Sequence, residues 1–589
     1  MMYAIDAEWN PNGEFLCGSM YDGEKTTFFK GNPPAEPQYI DDIAFYFVSP
    51  RDINLLKPFV VFREYLDLAV LIKVYTNYSM DKYLTELERK AKFPHLRDAP
   101  APAKLGQKGL KELVRFYLGT EMKYADNVDY KSMYVSEKLR LHNREDSRMC
   151  RKLAKFILSI VSPSDLATAK RLQVLNEPWQ AIAEQCVHYD LEWEETLVNP
   201  ENMVARLKAK GIDFFVLGDE KPKKKMHIKR REFQAFLEKH KVPVSKKVSN
   251  APYAKDGLLS HMQWEEFEDI GRVHADEKMR EMCSLIHIAL RSHTAGTGEA
   301  RFGSHILHPL EVVCAQSSGR VSHINCPITA GVIFRMGVVP PPGYKTLSLD
   351  IKSQEVMLAA EFSGDTALQE HCMQDVYSHL YATLNGTPYV KLAKTDSNRV
   401  RMKEVVLPWL YGVGYKSLAK SLKVSEEFAK IILDRLSRAY PKFWEWKQAL
   451  VHTCMGSTQA ETLLHRYPLK IDDRVHELQV INHTIQGTGC DMLRVWVKAL
   501  VDNNLTPFAT LHDGCYVYVP KDFDNQKIVD ISQRALNEAI PLSFDTWTVE
   551  CVEFKGHLVE KGDDYWRLVE ALSGQSVSEL KAKEALYDR

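Results

Sequence analysis

The sequence predicts an α/β multidomain protein, and three observations predict it. The chain has 589 residues, which at about 150 residues per domain means three or four domains. Short apolar segments alternate with helix-period segments at both ends, around a long and mostly amphipathic helical middle. Hydrophobic residues make up 45% and charged residues 26%. That is the balance of a globular chain with material for several cores, and it excludes disordered and fibrous classes.

The elements follow in order. Strands are expected at Tyr3–Trp9 and Leu68–Tyr75, and helices at Met80–Lys92 and Gly109–Leu118, with Asn32-Pro33-Pro34 and Pro100-Ala101-Pro102 as punctuation. From Ser147 to about Arg291 the pattern is amphipathic helix, broken by a basic stretch. After Pro340-Pro341-Pro342-Gly343 come a strand at Lys345–Leu349, long helices, and an apolar segment from Pro507 to Val519 around His512-Asp513. No internal repeat or low-complexity tract is present.

No apolar run reaches the ~18 residues that span a bilayer, and Met1-Met2-Tyr3-Ala4-Ile5-Asp6 lacks a signal-peptide layout. Eleven cysteines without a CxxC pair read as buried thiols of a reducing compartment. A cytoplasmic location without a membrane partner is expected. Lys+Arg of 77 against Asp+Glu of 78 leaves a net charge of -1, so only the distribution is informative. Between Lys221 and Lys247 stand eleven basic residues, Lys223, Lys224 and Lys225 among them, against two acids. A solvated helix face and a phosphate-binding surface both fit that run.

Two carboxylates carry the most specific surroundings. Asp350 ends a strand in Leu347-Ser348-Leu349-Asp350-Ile351-Lys352-Ser353-Gln354-Glu355, and Asp513 sits in a tight turn in Leu511-His512-Asp513-Gly514-Cys515. Carboxylates on neighbouring strands suit two Mg²⁺ ions in phosphoryl transfer; either alone would more often be a turn or cap residue. Between them, Arg399, Lys403, Leu407 and, less closely, Tyr411 share one face of a helix, a face suited to a nucleoside triphosphate; standing alone, the segment reads better as an amphipathic helix with a solvated basic stripe.

On these residues the chain resembles the family A DNA polymerases. Asp350 with Ser353-Gln354-Glu355 is similar to the family's motif A, Arg399 through Gly412 to motif B, and His512-Asp513 to motif C. Asn482 through Thr488 resembles the segment before motif C, Ser318-Gly319-Arg320 the segment that opens the palm, and Tyr440-Pro441 a fingers dipeptide. At the other end, Asp6-Ala7-Glu8 resembles the first motif of a DEDD 3′-to-5′ exonuclease. Asn77 through Asp81 has the form of its second motif, and Asp146, preceded by His142, the place of its third. Gly109 through Gly119 resembles the stretch between the last two. Three departures stand out: His142 where the family carries Tyr, Leu407-Pro408 where an aromatic is expected, and Gly514 where Glu is usual.

The resemblance implies an RNase H-like exonuclease domain at 1–160, then a right-hand polymerase with mostly helical thumb and fingers and an antiparallel β palm. The thumb and connecting helices would occupy 161–305, the palm 306–370 and 485–589, and the fingers 371–484. It further implies two Mg²⁺ (with Mn²⁺ as a substitute) at Asp350 and Asp513, and two at Asp6, Glu8, Asp81 and Asp146. Arg399, Lys403, Leu407, Tyr411, Glu355 and Gln354 would bind the dNTP, with Glu355 gating the sugar. Arg320, Asn482, Gln486, His512, Asn77 and the basic run at Lys223–Lys225 would contact DNA. The expected partners are primer-template DNA, dNTPs and phage replication proteins such as a helicase, a processivity factor and a single-strand binding protein, acting on a monomer. The chain has no room for a 5′ nuclease, which tilts the reading to a phage or plasmid replicase in a host cytoplasm. A single-subunit RNA polymerase is the alternative, opposed by Glu355 and by the exonuclease motifs. A catalytically reduced DNA-binding protein is the other, opposed by Asp350, Lys403 and Asp513.

Overall fold

The computed structural model describes residues 2–10, 13–78, 84–99, 109–123, 135–193, 200–217, 226–240, 267, 278–279, 282–283, 285–286, 289, 305–312, 318–324, 326–330, 332–393, 396–422, 424–462, 468–471 and 475–558. Two compact units divide the chain. The first comprises 1–186, 308–326 and 347–552, and the second 187–307, 327–346 and 553–589.

The first unit opens on a five-stranded sheet ordered β3-β2-β1-β4-β5, with β1 Met2–Trp9, β2 Phe15–Tyr21, β3 Thr26–Phe29, β4 Gln38–Tyr46 and β5 Val60–Asp67. The first three strands form an antiparallel meander, while β4 and β5 add on in parallel. Helices α1 Pro50–Leu56, α2 Leu68–Tyr75, α3 Glu86–Lys92, α4 Leu110–Leu118 and α5 Glu137–Leu158 follow in chain order.

Here one expectation is corrected. Leu68–Tyr75 is a helix, and the strand precedes it at Val60–Asp67. An unbroken run of eight apolar-rich residues has no period to separate a buried strand from a buried helix. Asp67 decides between them, because its carboxylate accepts from the Ala69 amide at 2.8 Å and caps the helix start. The helix expected from Met80 is described from Glu86, where Thr85 and Glu88 form a capping box.

The two helices that follow residue 160, Pro163–Leu175 and Pro178–Ala183, belong to this unit. On Pro163–Leu175, Gln173 accepts from the Asp67 amide at 3.1 Å and donates to the Tyr46 hydroxyl at 2.9 Å. Buried Arg51 of α1 donates to Ala183 O at 3.0 Å and to Gly13 O at 2.8 Å. The N-terminal fold thus runs past the boundary expected at 160.

The C-terminal half of the unit is built on a four-stranded sheet ordered Ala509–Leu511, Gly514–Pro520, Tyr344–Ile351, Val549–Phe554. Helices Gln354–Ser363, Val376–Asn385, Ser397–Tyr411, Pro441–Met455 and Thr488–Asp502 surround it. The Ser397–Tyr411 helix runs through Pro408, which falls in its last turn and withdraws a single intrahelical hydrogen bond.

Three ties join the N-terminal fold to this half. Asn77, at φ 52, donates to Lys470 O at 2.8 Å and accepts from Lys470 N at 3.0 Å. The Lys470 ammonium pairs with Asp165 at 2.6 Å. Buried Arg494 donates to Asn176 Oδ1 at 3.0 Å and to Gly319 O at 2.7 Å, and pairs with Asp491 at 3.2 Å.

A ladder of rings lies between Thr366 and Tyr440. His371 stacks on His379 at 4.0 Å, His379 on Tyr389 at 3.8 Å, and His371 Nδ1 meets the Tyr440 hydroxyl at 2.8 Å. Burial, helped by His379, pulls His371 down to about 4. An unfolded histidine titrates near pH 6.5. Between these values the unfolded chain holds a proton that the folded chain does not, so this group withdraws stability as pH falls from about 6.5 toward 4. The midpoint of urea unfolding should therefore drop less steeply over that window in His371→Gln than in wild type; parallel profiles would contradict the argument.

The second unit pairs Val187–His188 with Ile306–Leu307 and Phe215–Leu217 with Met226–Ile228. Phe214, Phe215, Phe233, Phe236 and Phe267 pack together beneath the Arg230–Lys239 helix. Lys223, Lys224 and Lys225 lie outside the described residues.

Candidate active sites

The first site grows from the four-stranded sheet. Asp350 stands near the end of its strand and Asp513 in the hairpin turn beside it, and the Ile351 amide donates to Asp513 O at 3.3 Å. Gly514 makes this approach fit, since a Cβ there would lie 2.6 Å from Leu349 O and 3.1 Å from Asp350 Oδ1. A glutamate at this position would collide with the strand that carries Asp350. His512 takes φ 56 and is exposed. Burial pushes Asp513 up, against its own backbone amide, Arg320, a side-chain hydrogen bond with Asp350, and Lys403. Two neighbouring acids thus lie within reach of two cations, Arg320 and Lys403.

The helix from Gln354 starts abruptly at Ser353, held at φ 52, and places Glu355 in its first turn. Arg320 Nη2 donates to Glu355 Oε1 at 3.1 Å. The Tyr411 hydroxyl lies against Glu355 and Gln486, and burial, followed by the Glu355 charge, pushes it upward. Its geometry falls short of a well-formed hydrogen bond. The expected pairing of Glu355 with Tyr411 is thus a close approach, and the strong bond to Glu355 comes from Arg320, a residue expected on DNA. Gln486 sits in a single π-helical turn, His483–Gly487, a distortion that turns this side chain toward the site. Asn482 is half-buried just before it. Gln354 is buried, and its amide donates to Gly489 O at 3.4 Å.

On the Ser397–Tyr411 helix, Arg399 and Lys403 lie 5.1 and 5.4 Å from the Tyr377 ring. Arg399 is not free: Nε and Nη2 grip Asp375, with the shortest contact at 2.8 Å. Burial raises the Asp375 carboxyl, but this grip and Ser378 outweigh it and leave the group below the usual range. Burial pushes Tyr377 up to about 12, and it bonds Ser353 and feels Arg399, Glu355 and Asp513. Leu407 is 40% exposed. Asp375 and Tyr377 were not singled out from the sequence; the only signal was an Asp in N-cap position before an apolar helix.

The second site lies on β1 and α5. Asp6 and Glu8, two apart on a strand, face the same side, and His142 and Asp146, four apart on α5, face them. Asn143 Nδ2 donates to Asp6 Oδ2 at 2.6 Å, His142 Nε2 lies 3.5 Å from Glu8, and His142 Nδ1 lies 3.7 Å from Asp146. Burial raises Asp6 and Glu8 well above the usual carboxylate range; the charges of Glu8 and Asp146 add to it at Asp6, and that of Asp146 adds to it at Glu8. Burial takes Asp146 up to about 7, with Glu145 adding to it.

A further acid joins them. Asp52, 3% exposed in the first turn of α1, is pushed up by burial and then by Asp6 and Asp146, and it raises Glu8 in turn. Asp81, expected in this place, lies outside the described residues. Asn77, expected on DNA, spends its amide on Lys470 because a left-handed turn aims it there. The signal for Asp52 was legible in part: Ser49, Pro50 and Asp52 form a helix-start pattern after an apolar run.

Among the described residues no three histidine, cysteine or carboxylate side chains already converge as a metal site. The donor chemistry nonetheless suits hard divalent cations. Four buried carboxylates repel one another at the second site, and Asp146 Oδ1 has no hydrogen-bond donor. None of the helices among the described residues is long and apolar enough to cross a membrane.

Comparison with known proteins bears on both sites. Residues 233–548 match the sequence model of DNA polymerase family A. The chain is 28% identical over 220 residues to DNA polymerase theta of Drosophila melanogaster, covering 33% of this chain and 10% of that protein. It is 25% identical over 208 residues to a DNA polymerase of Mycobacterium phage D29, covering 35% and 34%. With DNA polymerase I of Chloroflexus aurantiacus it shares 26% over 222 residues, covering 35% and 24%. These matches span about a tenth to a third of the curated relatives' length. Among solved structures, the POL domain of Pol1 from M. smegmatis, in complex with DNA primer-template and dNTP, superposes at a TM-score of 0.61 and 14% identity. That likeness covers 94% of this chain and 95% of the other, and at such identity it establishes the fold.

Proposed function

Because the chain belongs to DNA polymerase family A, we propose that it is a template-directed DNA polymerase that extends a primer 3′-OH with dNTPs and proofreads with a 3′-to-5′ exonuclease. One observation carries the polymerase reading: Asp350 on a strand and Asp513 in the hairpin turn beside it, with Lys403 and Arg320 acting on Asp513 and Glu355 beside Tyr411.

Asp350 and Asp513 would hold one pair of Mg²⁺ ions, and Asp6, Glu8, Asp146 and Asp52 another. When bound, such ions supply an activated oxygen nucleophile and neutralise charge on the leaving oxygen. The chain's own groups do the rest. Lys403 meets the triphosphate as a mobile point charge. Asp375 holds Arg399 by Nε and Nη2 and leaves Nη1 uncommitted among the described residues, so the guanidinium is aimed before the nucleotide arrives. Tyr411 packs by the templating position, and Asn482, Gln486, Arg320 and His512 line the primer-template path. In the exonuclease, Asn143 fixes the Asp6 carboxylate, and His142, between Glu8 and Asp146, is placed to orient water.

The basic run through Lys223–Lys225 is assigned to duplex phosphates, and the likeness to the phage D29 polymerase supports a phage or plasmid replicase. Primer extension with Mg²⁺, comparing dNTPs with rNTPs, tests the reading. Template-dependent use of dNTPs is expected, and no extension with either would reject it.

Sugar selection gives a sharper test. A 2′-hydroxyl would meet a carboxylate already held by Arg320, and disturbing such a pair costs about 1 to 3 kcal/mol. Glu355→Ala should narrow discrimination against rNTPs by at least about tenfold while changing dNTP use much less. Equal discrimination in variant and wild type would remove Glu355 from the gate.

A further inference from the structure

A buried cation stands behind the sugar gate. Lys447, on the Pro441–Met455 helix, is 2% exposed. Its ammonium donates to Trp409 O at 3.2 Å and lies 4.3 Å from the Trp444 ring centre and 5.3 Å from that of Phe443. No carboxylate pairs with it among the described residues, and burial pulls it down to about 8. A methionine of similar length would fill the same space without desolvating a charge. A lysine here therefore makes sense through the bond it forms.

That bond falls on a weak point. Trp409 O belongs to the last turn of the Ser397–Tyr411 helix, where carbonyls lack intrahelical donors and the helix dipole presents its negative end. Pro408 removes one amide from this turn. Gly412, at φ 83, closes it and also donates to Trp409 O, at 3.0 Å. A Cβ on Gly412 would lie 3.9 Å from the Lys447 ammonium. Tyr411, between Trp409 and Gly412, carries the hydroxyl that lies against Glu355 and Gln486.

We propose that Lys447 is a positioning residue for sugar selection: its charge clamps the turn from Trp409 to Gly412 and thereby holds Tyr411 against Glu355. The inference rests on the polymerase reading and adds to it a residue that touches neither nucleotide nor DNA. With the clamp lost and the shape kept, Tyr411 gains freedom and the floor of the site loosens toward a ribose.

The test compares wild type, Lys447→Met and Lys447→Arg. Single-nucleotide primer extension gives kcat and KM for one dNTP and its rNTP, and thermal unfolding gives stability. Lys447→Met is expected to narrow the dNTP-to-rNTP ratio of kcat/KM by about tenfold, the worth of one charge-assisted hydrogen bond, without lowering the melting temperature. Lys447→Arg, which keeps charge and donor, should restore most of the ratio. Degradation of single-stranded DNA should match wild type in both variants. An unchanged ratio in Lys447→Met, or a lowered melting temperature with the ratio intact, would overturn the proposal. Failure of Lys447→Met to fold would overturn it too, since the lysine would then serve the fold. Absence of extension by the wild type would reject the polymerase reading itself.

Discussion

Asp350→Ala and Asp513→Ala should each lower primer extension by at least about a thousandfold, while 3′-to-5′ degradation of single-stranded DNA continues at the wild-type rate. The size follows from what the two acids supply. They are the two carboxylates proposed to anchor cations at the palm hairpin, and losing one such anchor removes several kcal/mol of transition-state charge stabilisation. The selectivity follows from separation, because the second acidic cluster lies on a different sheet with its own four carboxylates. Rapid-quench extension and gel-resolved degradation on the same preparations read both activities. A variant that lost the two together would mean that one centre serves both reactions.

The second large effect concerns Asp52. Asp52→Asn keeps volume and hydrogen-bonding capacity but removes one of the charges acting on Asp6 and Glu8. It should reduce exonuclease activity about as strongly as Asp6→Ala with Glu8→Ala, by about two to three orders of magnitude, with primer extension unaffected. Asp81→Asn is the matched control, since the second motif was read there. Full exonuclease activity in Asp52→Asn, with loss in Asp81→Asn, would return the role to Asp81 and leave Asp52 as a buried acid of the fold.

That contrast shows where the sequence was legible. Strand and helix periods located β1, α4, the Tyr344–Ile351 strand and the hairpin around Asp513, because each has one buried face or a tight turn with its own residue chemistry. The motif order located Asp350, Asp513, Glu355 and Lys403, since each lies close in sequence to the signal that marks it. Leu68–Tyr75 was misread because a segment buried on all sides carries no period. Asp52 was passed over because its partners lie on β1 and α5, far along the chain, and only the parallel pairing of β1 with β4 brings them together. Tyr377 and Lys447 belong to the same class: their contacts with Ser353 and Trp409 cross the fold, where no local spacing records them. Arg320 is expected on DNA from the resemblance, and only its bond to Glu355 escapes the sequence for the same reason.

The ties through Asn77, Lys470, Asp165, Asn176 and Arg494 bear on how this protein could be re-engineered. Cutting the N-terminal fold away would strand chemistry on the surviving half. Arg494, a buried guanidinium, would lose its acceptor on Asn176, and the backbone of Lys470 would lose both hydrogen bonds to Asn77. Arg494 would keep Asp491 and Gly319 O, but a buried donor left without its acceptor costs about 1 to 3 kcal/mol. Loss of function at the N-terminal acidic cluster is therefore better sought by substitution within the intact chain, with the N-terminal fold retained as a scaffold for the other half.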